Sequence, residues 1–327
     1  MRYLCVGNTA CDILARVSPQ QKKSSRRLFL ESIDCFPGGD ALNNAVDASI
    51  MGESVQFIGC VGQDLFGEAI LKKLAEYQID LSHIRVDSQI PTSVSYYIVD
   101  EDGEKRPAAQ GGCCYRPGGN EALKEQDVPD SSLIWADHLH LGSPMIQDGL
   151  DGGGNCTLLK RARAHGVTTS MDLVYDQDEI WLPKIEAALH YCDIFIPSDY
   201  EVEHVCGCSD VQDMKEFFRP YGLSVFGVKM GSRGVFLTDY RKDIFVPSAY
   251  RGVPVETLGA GDAFFAAFNV SYNRGFSLER CAAIASCASA CVLGAFGAST
   301  GMVEYERLLE MADDFEKSLQ LSEVKLC

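Results

Sequence analysis

The stretch that most constrains this chain is 256–265, which reads Glu-Thr-Leu-Gly-Ala-Gly-Asp-Ala-Phe-Phe. Its two glycines, Gly259 and Gly261, indicate a short turn in which the backbone can approach a ligand closely. The mostly apolar residues that follow predict a buried helix that begins at this turn. Because a helix start presents unpaired N–H groups and the positive end of the helix dipole, it is a suitable place for a phosphate group.

Asp262 lies in the first turn of this predicted helix, beside the anion site. A carboxylate there can accept a proton from an attacking hydroxyl, while the amides of Gly259, Ala260 and Gly261 stabilise a phosphoryl group in transfer. The same residues also fit a plain strand–turn–helix, in which Asp262 only complements the helix dipole. Short glycine motifs are common, so both interpretations stand on this stretch alone.

The size and charge of the chain limit the classes of protein to which it can belong. Its 327 residues can form one large α/β domain or two smaller ones. The formal net charge of −17 argues against nucleic acid and anionic membranes as partners, because both require a basic surface. ATP remains compatible, since a local nest of amides can outweigh the distant field. We find neither a signal peptide nor a run of ~18 apolar residues, and we expect a cytoplasmic protein.

Strand-like and helix-like segments alternate from about residue 133. We predict strands over 133–136, 138–142, 167–172 and 194–196, and helices over 156–165 and 186–189. Such alternation is typical of a mostly parallel sheet with helices on both faces. His138 and His140 share one face of the second strand. Because no third metal ligand is evident, we interpret them as structural or surface residues.

Two β segments fall outside this alternation. The first is indicated by Leu28, Leu30 and Ile33. The second covers 92–99 and is followed by the turn 100–103, which together form a strong hairpin signal. These segments predict a small additional β structure, whose exposed edge strands would need a cover.

A polar residue follows the N-terminal strand. Asp12 comes just past the apolar strand 3–6 and the glycine that ends it. Ligands of open α/β sheets bind beyond the carboxyl ends of the strands. Asp12 could therefore bind hydroxyl groups of a ligand, or it could be an ordinary turn residue.

A second glycine pair precedes the predicted helix 41–51. Gly38 and Gly39 would let backbone amides approach a ligand, and Asp40 is a plausible N-cap of the helix. Asn43 lies in its first turn and offers both a donor and an acceptor. It could instead lie on the solvent side of an ordinary helix start.

Two of these stretches resemble the signatures of one family, the ribokinase-like or phosphofructokinase-B (PfkB) carbohydrate kinases. Residues 256–262 resemble its second signature, Asp-Thr-x-Gly-Ala-Gly-Asp, with Glu256 in place of the first Asp. Residues 37–45 and 59–67 resemble its first signature, Gly-Gly-x-x-x-Asn-x-Ala followed by Gly-x-x-Gly-x-Asp-x-x-Gly. Two signatures in the right order are far more specific than either one, and the resemblance extends over essentially the whole chain.

The resemblance implies a fold and an assembly. The expected fold is a ribokinase-like three-layer α/β/α structure, with a central mostly parallel sheet and a small β lid. A single kinase domain would cover 1–327, with lid segments at about 13–36 and 91–112 inserted within it. The resemblance also implies a homodimer that forms through the β lid.

The resemblance further implies roles for individual residues. Asp262 would be the catalytic base, with the amides of Gly259, Ala260 and Gly261 as the anion hole. The sugar-binding residues would be Asp12, Gly38, Gly39 and Asn43. The ATP-binding residues would be Ser198, Lys229, Gly231, Ser232, Gly234, Gly261 and Ser286, together with the loop 294–298.

Metal ions are also implied. Glu201 fits the Glu of the family's Asn-x-x-Glu motif and would hold Mg²⁺ through water, or it could be a helix residue with no such role. Ser198 stands where Asn is usual, and Lys229 stands where Thr or Ser is usual. Potassium could be held by Glu256, Leu258, Val292, Ala295 and Gly297, although Glu256 in place of Asp leaves this open.

The sequence thus predicts an ATP-dependent kinase that phosphorylates a primary hydroxyl of a small sugar of the ribose, fructose or sugar-acid type. Gly142 stands where some relatives carry an acidic sugar contact, so ribose itself is not assured. One alternative is a nucleoside kinase in which Tyr96 or Tyr97 stacks on the base. Another is a non-catalytic ligand-binding protein on this fold, which the intact Asp262 disfavours. A phosphosugar kinase is less favoured, because the candidate lid cations form no compact cluster: Lys22, Lys23, Arg26, Arg27 and Arg106.

Overall fold

The computed structural model describes residues 1–18, 20, 27–99, 105–107, 114–116 and 118–324. The predicted turn 100–103, the cations Lys22, Lys23 and Arg26, and the side chain of Arg106 lie outside what is described. The strands of the described residues are β1 (Arg2–Gly7), β2 (Ala10–Val17), β3 (Leu30–Gly38), β4 (Ser54–Ile58), β5 (Cys60–Gly62), β6 (Ile79–Asp80), β7 (Arg85–Asp87), β8 (Ser93–Val99), β9 (Lys105–Pro107), β10 (Cys114–Arg116), β11 (His138–Gly142), β12 (Thr168–Met171), β13 (Ile194–Phe195), β14 (Val225–Lys229), β15 (Val235–Thr238) and β16 (Asp243–Val246).

The central sheet has the order β16-β15-β14-β13-β12-β11-β1-β4-β6. Its neighbouring strands from β14 to β6 are parallel, and β15 and β16 join one edge as antiparallel strands. The expected mostly parallel α/β sheet is therefore confirmed. The carboxyl ends of its parallel strands meet at one edge, which is where such sheets bind ligands.

Helices cover both faces of this sheet. They are α1 (Asp40–Ile50), α2 (Leu65–Leu74), α3 (Gly119–Ala122), α4 (Asp130–Trp135), α5 (Gly153–Ala164), α6 (Leu182–Leu189), α7 (Asp199–Cys206), α8 (Val211–Phe218), α9 (Ala260–Asn273), α10 (Leu278–Leu293) and α11 (Tyr305–Val324). Strand β1 shows how the layers form. Leu4 and Val6 pack in the core beneath α4 to α8, whereas Tyr3 and Cys5 pack beneath α1 and α2 on the other face. No helix in the described ranges is long and apolar enough to cross a membrane.

A second sheet lies outside these layers and is called the lid sheet here. It has the order β10-β8-β2-β3, with β9 paired to β8. The antiparallel pairing of β8 with β9 confirms the predicted hairpin. The segment indicated by Leu28, Leu30 and Ile33 becomes β3, which forms one edge of the lid sheet.

The prediction of a strand over 133–136 is wrong. Residues 133–135 belong to α4, which follows Pro129 and has Asp130 in its first turn, and Ala136 is its C-cap. A proline before an acidic first turn favours a helix start. Leu133 is buried but the neighbouring Ile134 is 62% exposed, so only one side of this apolar run packs against the core.

Two predictions about polar residues also need correction. Asp12 does not lie in a turn after β1. It lies within β2, opposite Phe36 of β3 and Ser95 of β8, because the chain enters the lid sheet almost at once. The N-cap of α1 is Gly39, with φ of 99°, and Asp40 is the first helical residue. The Asp40 carboxylate instead accepts a hydrogen bond from the backbone N–H of Ser143.

Candidate active site

The turn 256–259 ends at the start of α9, as the sequence predicts. Gly259 has φ of 77°, and a Cβ at this position would overlap the carbonyl oxygen of Ala298. The first bond of the helix runs from the N–H of Ala263 to the carbonyl of Gly259, 2.8 Å away. The preceding N–H groups, those of Ala260, Gly261 and Asp262, therefore have no partner within the helix and can bind an anion.

Asp262 is held by the first helix of the chain. The Nδ2 group of Asn43 donates to Oδ2 of Asp262 at 2.7 Å, and the Nδ2 group of Asn44 donates to its backbone carbonyl at 3.1 Å. Burial, assisted by the negative charge of Asp40, raises the pKa of Asp262 to about 7. The hydrogen bond from Asn43 acts in the opposite direction. The carboxyl can thus both accept and release a proton near neutral pH.

Three carboxylates meet at this point. One oxygen from each of Asp40, Asp172 and Asp262 lies within 4.8 Å of the other two. Lys229 forms an ion pair with Asp172, and both side chains are largely buried. Burial raises the pKa of Asp40 to about 6, although the charge of Lys229 opposes this shift. The ammonium of Lys229 offsets part of the negative charge that this cluster concentrates.

Two cavities open on either side of the α9 N-terminus. The larger has a volume of about 640 Å³, and the smaller one of about 420 Å³. They share Lys229, Gly231, Thr257 and Gly261 in their walls. The cavities are therefore adjacent at the N-terminus of α9, where ligands in the two would come closest.

The larger cavity brings together most of the predicted sugar-binding residues. Its wall includes Asp12, Gly39, Asn43 and Asp262. The predicted Gly38 lies behind this wall, where a Cβ would overlap the carboxylate of Asp12. A glycine is therefore needed for close contact between β2 and β3 at this position.

The lid sheet contributes side chains from β8 to the same cavity. Ser95 and Tyr97 line it, because alternate residues of a strand share one face. Tyr96 lies on the other face of the strand. Of the two tyrosines considered for stacking on a base, Tyr97 is the one beside the cavity.

The smaller cavity contains three of the predicted ATP-binding residues besides those it shares with the larger one. Its lining includes Ser232, Gly234 and Ser286, with Phe264 and Leu293 as apolar walls. The loop 294–298 does not line it. The Phe296 ring packs instead against Phe36 of the lid sheet and beneath the guanidinium of Arg16. A contact between this loop and ATP stays a prediction.

Ser198 and Glu201 begin α7 with a reciprocal capping box. The Ser198 Oγ accepts from the N–H of Glu201 at 3.3 Å, and Oε2 of Glu201 accepts from the N–H of Ser198 at 2.8 Å. Both residues line the larger cavity, on the side of Asp172 and Lys229. Burial and the charge of Asp172 raise the pKa of Glu201 to about 7. An oxygen-rich wall of this kind suits Mg²⁺, which prefers carboxylate and water ligands.

The candidate potassium residues surround the loop after α10. Oε2 of the buried Glu256 accepts a hydrogen bond from the N–H of Gly297 at 2.9 Å. The carbonyl of Val292 accepts one from the N–H of Ala295 at 3.0 Å. Glu256 therefore anchors the loop, whether or not a cation binds, while Leu258 lies in the wall of the larger cavity.

Several residues of the site were missed from the sequence. Asp172 follows the end of β12, where the rule for open α/β sheets could have identified it, as it identified Asp12. Asp40 was interpreted as a helix cap, and its motif offered no signal for a place in the cavity wall. His140 was assigned to structure; it is fully buried, and its Nε2 lies 3.6 Å from Oδ1 of Asp40.

Comparison with known proteins agrees with this geometry. Residues 3–304 match the pfkB family carbohydrate kinases. A nucleoside kinase of Methanocaldococcus jannaschii is 23% identical over 314 residues, which cover 94% of this chain and 96% of the relative. The structure of Arabidopsis thaliana ribokinase complexed with ribose and ATP has a TM-score of 0.78 and 23% identity, over 95% of this chain and 98% of that chain. An Escherichia coli structure in complex with ATP and Mg²⁺ has a TM-score of 0.79 and 21% identity, over 96% and 99% of the two chains.

The chain therefore belongs to the pfkB family of carbohydrate kinases. It has the ribokinase fold, as its structural neighbours show. As a member of this family it is a phosphotransferase that acts on an alcohol group, and more narrowly a sugar or nucleoside kinase.

Proposed function

We propose that this protein transfers the γ-phosphoryl group of MgATP to a primary hydroxyl of a small sugar of the ribose, fructose or sugar-acid type. The observation that carries the proposal is the position of Asp262. Its carboxyl lies at the α9 N-terminus, where the two cavities meet, and Asn43 holds it from the side of the larger cavity. A base and an amide cradle at one point suit phosphoryl transfer.

ATP would occupy the smaller cavity. Its adenosine would lie between Phe264 and the residues Gly231, Ser232, Gly234 and Ser286, with the phosphates directed toward Gly261. Lys229 lies beside Gly261 and would add a positive charge near the phosphates. Ser198 and Glu201 line the neighbouring wall, where Glu201 would hold Mg²⁺ through water, and bound Mg²⁺ would neutralise charge on the phosphates. The loop anchored by Glu256 is the proposed place for potassium.

The sugar would occupy the larger cavity, against Asp12, Gly39 and Asn43. Asp262 would take the proton of the sugar hydroxyl as that oxygen bonds to the γ-phosphorus, and the bond from phosphorus to the ADP oxygen would break. The amides of Gly259, Ala260, Gly261 and Asp262 would stabilise the charge on the phosphoryl oxygens. The reaction yields a sugar phosphate and ADP.

A substrate screen tests this proposal. ADP release from MgATP would be measured with potassium present, against a panel of free sugars, sugar acids and nucleosides. We expect a clear signal with at least one sugar. The absence of ADP release above the rate of ATP hydrolysis, with every sugar in the panel, would overturn the proposed sugar kinase.

A nucleoside is the second candidate acceptor, and one observation favours it. Tyr97 lies in the wall of the larger cavity, where its ring could stack on a base. The similarity to a nucleoside kinase supports the same idea. Tyr97→Ala should weaken nucleoside binding selectively if this candidate is right, with Tyr96→Ala on the opposite face of β8 as the matched control.

We also propose that two copies associate through the lid sheet. Its edge strand β3 and the residues before it expose apolar side chains, with Leu28, Phe29 and Ile33 between 51% and 61% exposed. An exposed apolar edge needs a cover. Ile33→Lys should convert a dimer to a monomer in sedimentation experiments, and a monomeric wild-type protein would contradict the proposal.

A further inference from the structure

Asp40 occupies an unusual place in the wall of the larger cavity. Its side chain is 7% exposed, and its Oδ2 accepts from the N–H of Ser143 at 2.6 Å and faces the Ser143 hydroxyl at 3.3 Å. Oδ1 accepts no hydrogen bond from any described residue. On the core side, Nε2 of His140 lies 3.6 Å from Oδ1. The position of the proton on His140 therefore decides whether Oδ1 of Asp40 lies beside an N–H group or beside a nitrogen lone pair.

A buried chain of hydrogen bonds fixes that proton, starting at α9. The amide nitrogen Nδ2 of Asn273 lies 2.8 Å from Nδ1 of His138 and also donates to the carbonyl of Asn269. An amide nitrogen only donates, so Nδ1 of His138 must be the acceptor. The proton of neutral His138 is then on Nε2, which donates to Oγ of Ser170 at 2.8 Å.

Ser170 passes this constraint on to His140. Its Oγ also accepts from Nδ2 of Asn269 at 3.0 Å, so both of its lone pairs are used. The single O–H of Ser170 must then donate to Nδ1 of His140, 2.9 Å away. His140 consequently carries its proton on Nε2, which lies 3.6 Å from Oδ1 of Asp40, beyond hydrogen-bond distance.

His140 acts through the dipole of its Nε2–H bond and not through a charge. Burial lowers its pKa to about 3, although the charge of Asp172 acts in the opposite sense. Its ring is fixed by Ser170 on one side and by Phe265, whose ring centre is 5.0 Å away, on another. The fixed N–H, 3.6 Å from Oδ1, places the positive end of a dipole beside the Asp40 carboxylate without neutralising it.

We propose that Asp40 selects the acceptor of the reaction by requiring a hydrogen-bond donor, and that His140 is the positioning residue that holds Asp40 for this task. The inference rests on the proposed function of the larger cavity. It narrows the acceptor to a sugar with a neutral hydroxyl or a protonated amine opposite Asp40. Sugar acids and sugar phosphates are disfavoured there.

The charges of the cavity support this selection. Asp12, Asp40, Asp172 and Asp262 line it, and Lys229 is the one cation in the described part of the wall. Lys229 is already paired with Asp172. An anionic group on the acceptor would therefore meet like charges beside largely buried carboxylates, which disfavours binding.

Binding measurements without nucleotide test the selection independently of turnover. Calorimetry would compare D-ribose and D-fructose with D-glucosamine and D-gluconate. We expect a neutral sugar or the amine to bind at least about tenfold more tightly than gluconate, and Asp40→Asn to reduce that ratio by on the order of tenfold. Tighter binding of the amine would identify an ammonium as the donor, and tighter binding of a neutral sugar would identify a hydroxyl.

Asp137→Asn is the matched control, because it removes the same charge just before β11, at the end of that strand away from the cavity. The ratio should not change in this variant. Preferred binding of gluconate by the wild type, or an unchanged ratio in Asp40→Asn, would overturn the proposal. Failure of ADP release with every acceptor would instead contradict the proposed function.

The positioning role of His140 has its own test. His140→Gln keeps an N–H near the place of Nε2, whereas His140→Leu removes it. We expect the acceptor KM to rise several-fold in the Leu variant with little change in kcat, and to recover in the Gln variant. ¹⁵N spectra of histidine-labelled wild-type protein should show His140 protonated on Nε2. Protonation on Nδ1 would contradict the chain of hydrogen bonds from Asn273 to His140. This measurement uses the wild type, so it does not depend on the folding of a variant.

Discussion

Asn43 donates a hydrogen bond of 2.7 Å to the Asp262 carboxylate, across 219 residues of sequence. This bond connects the first turn of α1 with the first turn of α9. Each of these two turns lies in one of the two glycine-containing signatures. The bond also stabilises the ionised form of the buried Asp262 carboxyl, whereas the neighbouring acids disfavour that form. The proposal that Asp262 is the base depends on this balance between the hydrogen bond from Asn43 and the charges of the neighbouring acids.

The first prediction concerns this hydrogen bond. Asn43→Leu should raise the pKa of Asp262 further, because the bond from Asn43 lowers it in the wild type. A base must be deprotonated to act, so kcat at pH 7 should fall and the acidic limb of the kcat profile should move to higher pH. Asn44→Ala is the control, since Asn44 contacts only the backbone carbonyl of Asp262. A limb that moves equally in both variants would contradict the role of Asn43.

The pH profile of the wild type gives a second prediction. Since burial and Asp40 raise the pKa of Asp262 to about 7, kcat should increase with pH through this value and then level off. Asp172 also raises the pKa, Asn43 and Lys229 lower it, and Asp47 of α1 faces the same carboxyl. Asp40→Asn removes one negative charge, so the acidic limb should move to lower pH. An unchanged limb would show that Asp40 and Asp262 are not electrostatically coupled.

Gly259 provides a third prediction. Gly259→Ala combines a positive φ with an overlap between Cβ and the Ala298 carbonyl. We expect a loss of stability of roughly 1–3 kcal/mol from this strain, together with reduced kcat because the amides shift. Gly275→Ala is the matched control, since Gly275 has φ of 79° but open space around its Cβ. Chemical denaturation and steady-state kinetics of both variants would separate the overlap from the strain of the positive φ. Equal effects in both variants would contradict the steric argument.

The ion pair between Lys229 and Asp172 yields a fourth prediction. Lys229→Met should destabilise the fold by roughly 3–5 kcal/mol, because it leaves a buried carboxylate without its cation. The double variant with Asp172→Asn should recover much of this loss. Denaturant unfolding of the two single variants and the double variant would measure the coupling. Additive effects would show that the pair contributes little.

The sequence was sufficient for the parts of the site that lie in continuous motifs. The turn before α9, Gly39 and the paired glycines at 259 and 261 could be identified, because short-range geometry favours glycine at these places. The role of Asn43 was implied by the resemblance to the family. The parallel sheet followed from alternating apolar segments. Asp12 was predicted to lie near a ligand and does line the larger cavity, although its strand was not predicted.

The remaining features depend on contacts between distant segments. Asp40 follows two glycines at a helix start, where a cap is the local expectation, and only its approach to Ser143 and His140 reveals another role. Lys229 could not be assigned a partner until β12 and β14 were placed in one sheet. Short apolar runs such as 133–136 fit a helix or a strand equally well, and packing decides between them.

The most direct test of the account is the turnover of Asp262→Asn. The substitution preserves the shape of the side chain but removes its ability to take a proton. With the acceptor identified by the screen, kcat should fall by at least ~10²-fold, the scale for loss of a general base, while ATP still binds to the smaller cavity. Calorimetric titration with ATP would verify that the nucleotide site is intact. Turnover close to that of the wild type would contradict the assignment of Asp262 as the base.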